Sequence, residues 1–273
     1  MSINSESLAQ QLKQARQRQA WSQLALSLHL GVSQRHISFV ETGRARPSRP
    51  LLIRWLEALS LPMSTCNALL QLAGFAPMFS ARPLQDPHLE QARTALSHLL
   101  QSHDPQPALV IGAQWDLLQL NRGAQWLAET LMPELFASAP FRPNMLDLVL
   151  HPQGLMRYVI NKEEAAADFW AQLRRDLVDQ PELAPKVDAF VEMFAPLLQA
   201  SGDNQGPTFI NPLLTLRFLT GHGELAFFRM FSTLGSPHDI TLASMRVEHM
   251  FPADEHPRAV LQKHVIRTTG LVA

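Results

Sequence analysis

Apolar residues recur at helical spacing between Trp21 and Ser48, and this pattern predicts two short helices with a tight turn between them. The first is expected from Gln23 to Leu30, and the second from a Ser33 cap to about Thr42, where Gly43 ends it. Gly31 suits the turn because glycine accepts a positive φ and close packing. The predicted buried side of the pair is Leu26, Leu30, Val32, Ile37 and Val40.

The same spacing predicts three more helices around this pair. One is expected from about Ser5 to Gln19, and another is capped by Ser48 and ends at Leu61-Pro62. A fifth helix is expected to be capped by Ser64 and stopped by Gly74. Five helices in about 75 residues predict a compact all-α domain.

The pattern changes after Gly74. Residues 76–88 contain three prolines and little periodicity, which is typical of a linker of limited flexibility. We therefore predict an N-terminal domain over residues 1–78, a linker over 79–88 and a second domain over 89–273, with the boundary near Arg82. The second domain is expected to begin with a helix over residues 89–103, with Leu96, Leu99 and Leu100 facing inward.

Strand-like runs follow this helix. Two short strands are predicted at 108–113 and 115–121, and then a helix that Asn121 caps. A long helical stretch separates them from three further predicted strands, Leu213 to Thr220, Glu224 to Leu234 and Ile240 to Phe251. Two strands, a helix and three later strands are the order of an α+β, PAS-like sensor domain, here with a helical insert. The last three strands should be consecutive antiparallel neighbours, covered by the insert.

Composition and charge divide in the same way. The 273 residues are 46% hydrophobic and 17% charged, which is typical of a globular protein with substantial cores. The formal net charge of −1 conceals a split: residues 1–78 hold eight Lys or Arg against three Glu, or +5, which leaves −6 for the remainder. A basic N-terminal domain and an acidic remainder are expected when only the N-terminal domain contacts the phosphates of a nucleic acid.

Other classes of protein find little support. The N-terminus has no apolar run suited to a signal peptide, no stretch is long enough to span a membrane, and the single Cys66 can form no internal disulfide, so we expect a cytoplasmic protein. Cys66 is expected to be a buried thiol. No Gly-rich phosphate loop, nucleophile elbow or zinc motif is present, and the eleven histidines are scattered. We therefore expect neither an enzyme nor a metal site.

The outward side of the second predicted helix is polar. Gln34, Arg35 and Ser38 leave its first turns, where long or hydroxyl-bearing side chains can reach base edges in a major groove. Arg44, Arg46 and Arg49 follow, where a loop could lie along phosphates. The alternative is an amphipathic helix pair without a nucleic-acid role, because any helical bundle shows this periodicity.

The residues from Ser22 to Ser48, SQLALSLHLGVSQRHISFVETGRARPS, resemble the xenobiotic-response-element type of helix-turn-helix. Their GVSQRH-S-VE-GRARPSR core is similar to the N-terminal domain of MmyB-like bacterial transcription regulators. The family usually has Ala where this chain has Ser27, which is nearly as small. The resemblance implies that Arg16 and Glu41 form a structural ion pair. The predicted DNA-binding residues are Gln23, Ser33, Gln34, Arg35, Ser38, Arg44 and Arg46.

The C-terminal part also resembles this family, through the segments Leu150–Leu155 (LHPQGL), Leu173–Asp176 (LRRD) and Phe251–Glu255 (FPADE). The resemblance implies a PAS-like domain whose apolar cavity holds a fatty acid or a related molecule. Arg174, Arg175 and Arg229 are candidate anchors for a carboxylate. The predicted ligand-binding residues are Trp126, His151, Trp170, Arg174, Phe218, Phe228 and Met245, although aromatic and Met residues more often form an ordinary core and His151 could cap a helix.

These observations predict a ligand-responsive regulator of transcription that binds double-stranded DNA. A homodimer on a palindromic operator is expected, because one small module contacts few bases. The alternative is a regulator whose C-terminal domain presents an apolar groove to a protein partner. An enzyme tethered to DNA would need a nucleophile or a metal set that the sequence lacks.

Overall fold

The computed structural model describes residues 7–137, 144–200, 214–234 and 239–266. The chain divides into two units, Met1–Ala81 with His238–Ile240 and Arg82–Pro237 with Thr241–Ala273. The division after Ala81 falls inside the predicted linker.

Five helices form the N-terminal unit, and four of them begin at a serine. The side chains of Ser7, Ser22, Ser33 and Ser48 each accept a hydrogen bond from a backbone N–H in the first turn that follows. The helices are α1 Leu8–Arg18, α2 Gln23–Leu30, α3 Gln34–Glu41, α4 Arg49–Ala58 and α5 Met63–Leu72. Helix α1 was expected from Ser5, which lies outside the described residues.

The predicted cap of α5 was wrong. Pro62 occupies the N-cap position, and Ser64 lies within the first turn of the helix. Proline suits a helix entrance because its fixed φ is close to the helical value and its missing N–H would have no partner there. The preference for a serine cap was therefore overridden by the residue two positions earlier.

The helix-turn-helix forms as the apolar pattern predicts, except that Val32 is only partly buried. Leu26, Ile37 and Val40 are buried, and Gly31 ends α2 in the left-handed conformation with φ +66°. Ser27 is also buried, and its hydroxyl donates to the carbonyl oxygen of Leu24 at 2.8 Å. The buried hydroxyl of Ser27 therefore has a hydrogen-bond partner.

The C-terminal unit combines an antiparallel sheet with helices. Its strands are β1 Ala108–Ile111, β2 Leu117–Leu120, β3 Thr215–Thr220, β4 Gly223–Thr233 and β5 Arg246–Pro252. Its helices are α6 Glu90–His103, α7 Arg122–Leu131, α8 Pro133–Ala137, α9 Met145–Leu150, α10 Leu155–Tyr158, α11 Lys162–Asp179, α12 Ala184–Ala200 and α14 Glu255–Leu261, with a short helix α13 at Ile240–Ala243. As predicted, Asn121 caps α7.

The strands are arranged in the order β2-β1-β5-β4-β3. The predicted pairing of the last three strands as antiparallel neighbours is confirmed, and the domain is PAS-like. Two strand boundaries differ from the prediction. Leu213 lies outside the described residues, and Ile240–Ala243, predicted as the start of the last strand, is helix α13. A short apolar run does not distinguish a strand from a helical turn, and strand β5 begins only at Arg246.

The two faces of the sheet have separate cores. On one face, Phe169 and Leu173 of α11 and Phe190 of α12 pack with Phe218 and Phe227 of the sheet. On the other face, Leu96 and Leu100 of α6 pack with Val110, Met245 and Val247. Leu99 was expected to face inward but is 40% exposed, because a helix lying on a sheet buries only a narrow stripe.

The C-terminal segments singled out in the sequence have structural roles. Gly154 packs against the end of α9, where an added Cβ would overlap the carbonyl oxygen of Leu148. Asp176 accepts hydrogen bonds from Trp115 Nε1 at 2.8 Å and Arg246 Nη1 at 2.6 Å. Asp254 caps α14 by accepting from the backbone N–H of His256. These residues join helices to one another and to the sheet.

Candidate functional site

Helix α3 buries one side and exposes its first turn. Ile37 and Val40 lie in the core of the N-terminal unit, whereas Gln34 and Arg35 are exposed. The guanidinium of Arg35 lies over the ring of Phe39, with its Cζ 5.1 Å from the ring centroid. Helix α3 therefore presents an amide and a guanidinium side by side at its N-terminal end, which are groups that can make bidentate contacts to bases.

A buried ion pair fixes the orientation of α3. Arg16 Nε and Nη2 donate to the two carboxylate oxygens of Glu41 at 2.6 and 2.9 Å, and Arg16 Nη1 donates to the carbonyl oxygen of Trp21 at 2.6 Å. The hydrogen bond to Glu41 raises the pKa of Arg16. Because the bond is bidentate and both partners are buried, it holds α1 against the end of α3 in one geometry.

Two predicted DNA contacts, Gln23 and Ser33, also have roles within the domain. Gln23 Nε2 donates to Glu41 Oε2 at 2.9 Å and so completes the buried network. Ser33 caps α3 by accepting from the backbone N–H of His36 at 3.2 Å. Ser38 is half-buried.

Arg44 and Arg46 are exposed in the segment after α3. The outer surface thus holds Gln34, Arg35, Arg44 and Arg46, and their contacts with DNA stay a prediction.

The C-terminal unit contains an apolar cavity of about 70 Å³ between the sheet and helices α7, α9 and α11. Its walls are mostly Leu, Met and Phe side chains. The lining residues are Pro107, Leu109, Leu117, Leu120, Ala124, Leu127, Ala128, Leu131, Met132, Phe136, Met145, Leu148, Leu155, Phe169, Leu216, Phe218, Glu248 and Met250. We refer to this cavity as the apolar pocket.

Of the seven predicted ligand-binding residues, the lining includes Phe218. Trp126 packs on His222 and His264 with ring centroids 5.6 and 5.8 Å away, and Phe228 stacks on Phe251 at 5.1 Å. Met245 lies in the core beneath α6.

The other three predicted residues lie on helices of the same unit. His151 is exposed at the end of α9, where its Nδ1 accepts from the backbone N–H of Gln153 at 3.1 Å. Arg174 is exposed on α11, with its guanidinium 6.0 Å from the ring centroid of Trp170. The structure therefore brings one member of the predicted set to the pocket, and the binding roles of the others stay predictions.

One buried arginine is shared between two carboxylates beside the pocket. Arg229 Nε donates to Glu248 Oε1 at 2.5 Å, and Arg229 Nη1 donates to Asp168 Oδ2 at 3.2 Å. Burial raises the pKa of Asp168, and the charge of Arg229 opposes this effect. Arg229, a predicted anchor for a ligand carboxylate, is thus already engaged by two carboxylates of the protein itself.

A second guanidinium, which is partly buried, lies close to this cluster along β5. Arg246 is held by Asp176 and lies over the ring of Trp115, 4.4 Å from its centroid. Its Nε and Nη2 are buried and have no hydrogen-bond partner among the described residues. Arg246 does not belong to the lining of the apolar pocket.

Glu248 was not predicted from the sequence as a residue of the pocket. A signal was present, since Glu248 falls at a buried position in the alternating pattern of β5, two residues before the inward Met250. A charged residue at such a position indicates a buried partner or a site. Its partner Arg229 was considered only as an anchor for a ligand.

The remaining chemistry is limited in the part of the chain that the structure describes. No group of three or more His, Cys, Asp or Glu side chains there is placed to hold a metal ion. None of the helices described is both long and apolar enough to cross a membrane. Cys66 is buried, and burial raises its pKa to about 11, so the thiol form is favoured.

Family models match both units of the chain. The model of the MmyB-like transcription regulator ligand binding domain matches residues 92–263, and a helix-turn-helix model matches residues 12–65. No curated protein matches the chain closely enough to count as a relative. The first match spans more than half of the chain and includes the residues of the apolar pocket. The second includes α2, α3 and the Arg16–Glu41 pair.

Proposed function

The chain belongs to the MmyB-like transcription regulators, and from this premise we propose that it binds a specific operator through α3 and responds to an apolar molecule in its C-terminal unit. The observation that carries the proposal is the exposed first turn of α3, where Gln34 and Arg35 stand clear of a helix that Arg16 and Glu41 hold in place. A recognition helix needs this combination of free polar side chains and a fixed axis.

We propose that the DNA-binding form is a homodimer on a palindromic operator in the cytoplasm. A single small domain buries too little surface for specificity among the sites of a genome, whereas two copies related by a dyad read half-sites about one helical turn apart. The exposed Arg44 and Arg46 would then contact phosphates beside each half-site.

The effector we propose is a small molecule with a hydrocarbon chain. The pocket supports this because its lining is apolar and includes three methionines, Met132, Met145 and Met250, whose flexible side chains can rearrange. Each methylene that becomes buried contributes about 0.8 kcal/mol, offset in part by the ordering of the chain. A fatty acid, which the family resemblance implies, is one such molecule.

The size of the cavity sets a condition on this proposal. Its 70 Å³ is less than half of the roughly 150 Å³ that holds a benzene molecule in an engineered core. Most sites for small molecules measure about 300 to 1,000 Å³. A chain of eight or more carbons therefore enters only if the walls move outward.

Binding-site selection tests the DNA part. We expect Gln34→Ala and Arg35→Ala each to cost about 1 to 3 kcal/mol at the operator and to relax the preference at particular base pairs. Arg44→Ala is the matched comparison, because loss of a phosphate contact should weaken all sequences alike and reduce the salt slope by about one. Unchanged sequence preference in the Gln34 and Arg35 variants would reject α3 as the base reader.

Removal and return of the effector test the regulatory part. The full chain is stripped of small molecules, the extract is identified by mass spectrometry, and operator affinity and thermal stability are measured before and after reloading. A regulator must bind its effector differently in the DNA-competent and incompetent forms, so both quantities should change. If neither changes, the alternative of a protein partner on the C-terminal unit is favoured.

A further inference from the structure

The lining of the apolar pocket, as far as the structure describes it, includes one polar side chain. Among the described residues that line it, Glu248 carries a charge, and the others are Pro, Leu, Ala, Met and Phe. Glu248 is 4% exposed, and Arg229 fixes its carboxylate through a short hydrogen bond. An ionised carboxylate offers about four acceptor sites, so one bond from Arg229 leaves it able to accept more.

The charge around Glu248 is negative. Asp168 and Glu248 share Arg229, which gives the three groups a formal charge of −1 when all are ionised. Burial raises the pKa of Asp168, so this charge is greatest at neutral and alkaline pH. In a region of low dielectric, a ligand anion placed against Glu248 is repelled, whereas a hydrogen-bond donor is attracted.

None of the unit's arginines that the structure describes belongs to the lining of the pocket, although the charge of Arg175 opposes the rise in the pKa of Asp168. Arg174 and Arg175 are exposed on α11, and Arg229 is engaged by two carboxylates. Arg246 has buried nitrogens without partners, but it lies outside the lining, where the rings of Trp115 and Phe231 pack against it.

From this arrangement we infer that the effector carries a hydrogen-bond donor, such as a hydroxyl, which binds Glu248, and that a carboxylate is the disfavoured head group. This inference rests on the proposed ligand pocket and specifies the polar end of its occupant. It departs from the fatty acid that the family resemblance implies, because the protein already supplies the carboxylate. The hydrocarbon part would occupy the Leu, Met and Phe walls.

Three ligands with an eight-carbon chain test the inference on the delipidated full chain. They are 1-octanol, which donates and accepts, octanoate, which is an anion at pH 8, and methyl octanoate, which is neutral and only accepts. Calorimetric titration should show 1-octanol binding about tenfold or more tighter than octanoate. It should also bind tighter than methyl octanoate, because a hydrogen bond to a charged group is worth about tenfold.

Variants then assign the effect to Glu248. Glu248→Gln should reduce the ratio of the 1-octanol and octanoate affinities, because the amide has no charge and can donate to a carboxylate. The ratio is used because a general loss of stability affects both ligands alike. Glu224→Gln, at an exposed position of β4, is the matched control and should leave the ratio unchanged.

The outcomes separate this inference from the proposed function. If octanoate binds as tightly as 1-octanol, the inference is overturned but the proposed pocket is kept. Loss of octanoate binding in Arg246→Gln would then make Arg246 the anchor instead. Equal affinity for 1-octanol and methyl octanoate, or a ratio unaffected by Glu248→Gln, also overturns it. Failure of all three ligands to bind overturns both the inference and the proposed pocket.

Discussion

The two units treat buried charge differently. In the N-terminal unit, Arg16 meets one carboxylate, Glu41, in a bidentate pair that Gln23 completes. In the C-terminal unit, Arg229 is divided between two carboxylates, and Arg246 keeps two nitrogens without partners in the described structure. The first arrangement fixes a helix whose predicted DNA contacts, Gln34 and Arg35, are exposed. The second arrangement leaves hydrogen-bonding groups without a full set of partners near the apolar pocket, as expected if the unit binds a ligand there.

Removal of Glu41 should produce the largest effect. Glu41→Ala leaves the guanidinium of Arg16 buried beside no carboxylate, and breaking a buried pair in this way costs about 3 to 5 kcal/mol. Hydrogen exchange of the amides in α1 and α3, and in β3 and β4 for the control, measures the loss of unfolding free energy. The exposed Arg217–Glu224 pair is the control, and Glu224→Ala should have no measurable effect. Equal losses from the two substitutions would remove the distinction between them.

Truncation tests whether the first unit is self-sufficient. Residues 1–78 contain α1 to α5 and their core, so we expect them to fold alone and to keep salt-sensitive DNA binding. Affinity for a full palindrome should fall about a hundredfold if the C-terminal unit holds the dimer together, because the second half-site loses its effective concentration. Titration of a palindrome and of a single half-site measures this. A fragment that binds the palindrome as tightly as the full chain would show that the C-terminal unit does not organise the dimer.

Gly154 tests how closely the helical cover is packed. Gly154→Ala places a methyl group against the carbonyl oxygen of Leu148, and we expect a loss of about 1 to 3 kcal/mol, measured by thermal unfolding. Gly221→Ala is the matched control, because an added Cβ there has no neighbour within 4 Å. A melting temperature lowered equally by both would mean that packing at Gly154 is not the cause.

The smallest expected effect is a dependence on pH in the C-terminal unit. Burial lowers the pKa of His103. The centroid of its ring lies 5.0 Å from that of His249 and 4.9 Å from that of Phe251, and Asp104 is the next residue in the chain. The neutral form is therefore favoured in the folded state. Its stabilising contribution is complete above about pH 6.5 and is lost as the pH falls through the lowered pKa.

Substitution of His103 isolates this contribution. His103→Phe keeps a ring against Phe251, so its thermal stability should fall less than that of the parent protein between pH 7.5 and 5.5. His98→Phe, at an exposed position of the same helix, is the matched control. An unchanged pH slope in His103→Phe would assign the acid sensitivity to another group, such as His249, whose pKa is also lowered by burial.

The helix-turn-helix was predictable because its determinants are local. The Ser33 cap, the left-handed Gly31 and the buried Ile37 and Val40 lie within a few residues of one another, and helical spacing alone separates inside from outside. The miss at Ser64 also had a local cause, since Pro62 was read as the end of α4 and not as the entrance to α5.

The apolar pocket was less predictable because strand register builds it. Glu248 lies beside Arg229 only because β4 and β5 pair with Phe231 opposite Glu248 and Arg229 opposite Met250. A shift of one residue would turn each side chain to the other face. The aromatic and Met residues indicated an ordinary core, but they did not separate Phe218, which lines the pocket, from Phe228 on the opposite face. The sequence thus predicted the sheet and its helical cover better than the lining.

The small volume of the pocket affects the concentration of effector that is needed for a response. If an effector enters only molecules whose walls have moved apart, its apparent dissociation constant is the intrinsic one divided by the fraction of open molecules. An open fraction of about 1% would weaken apparent binding about a hundredfold, so the stiffness of Met132, Met145 and Met250 would set the concentration at which transcription responds. Changes in these walls could then retune the threshold of the regulator without any change in its operator or its effector.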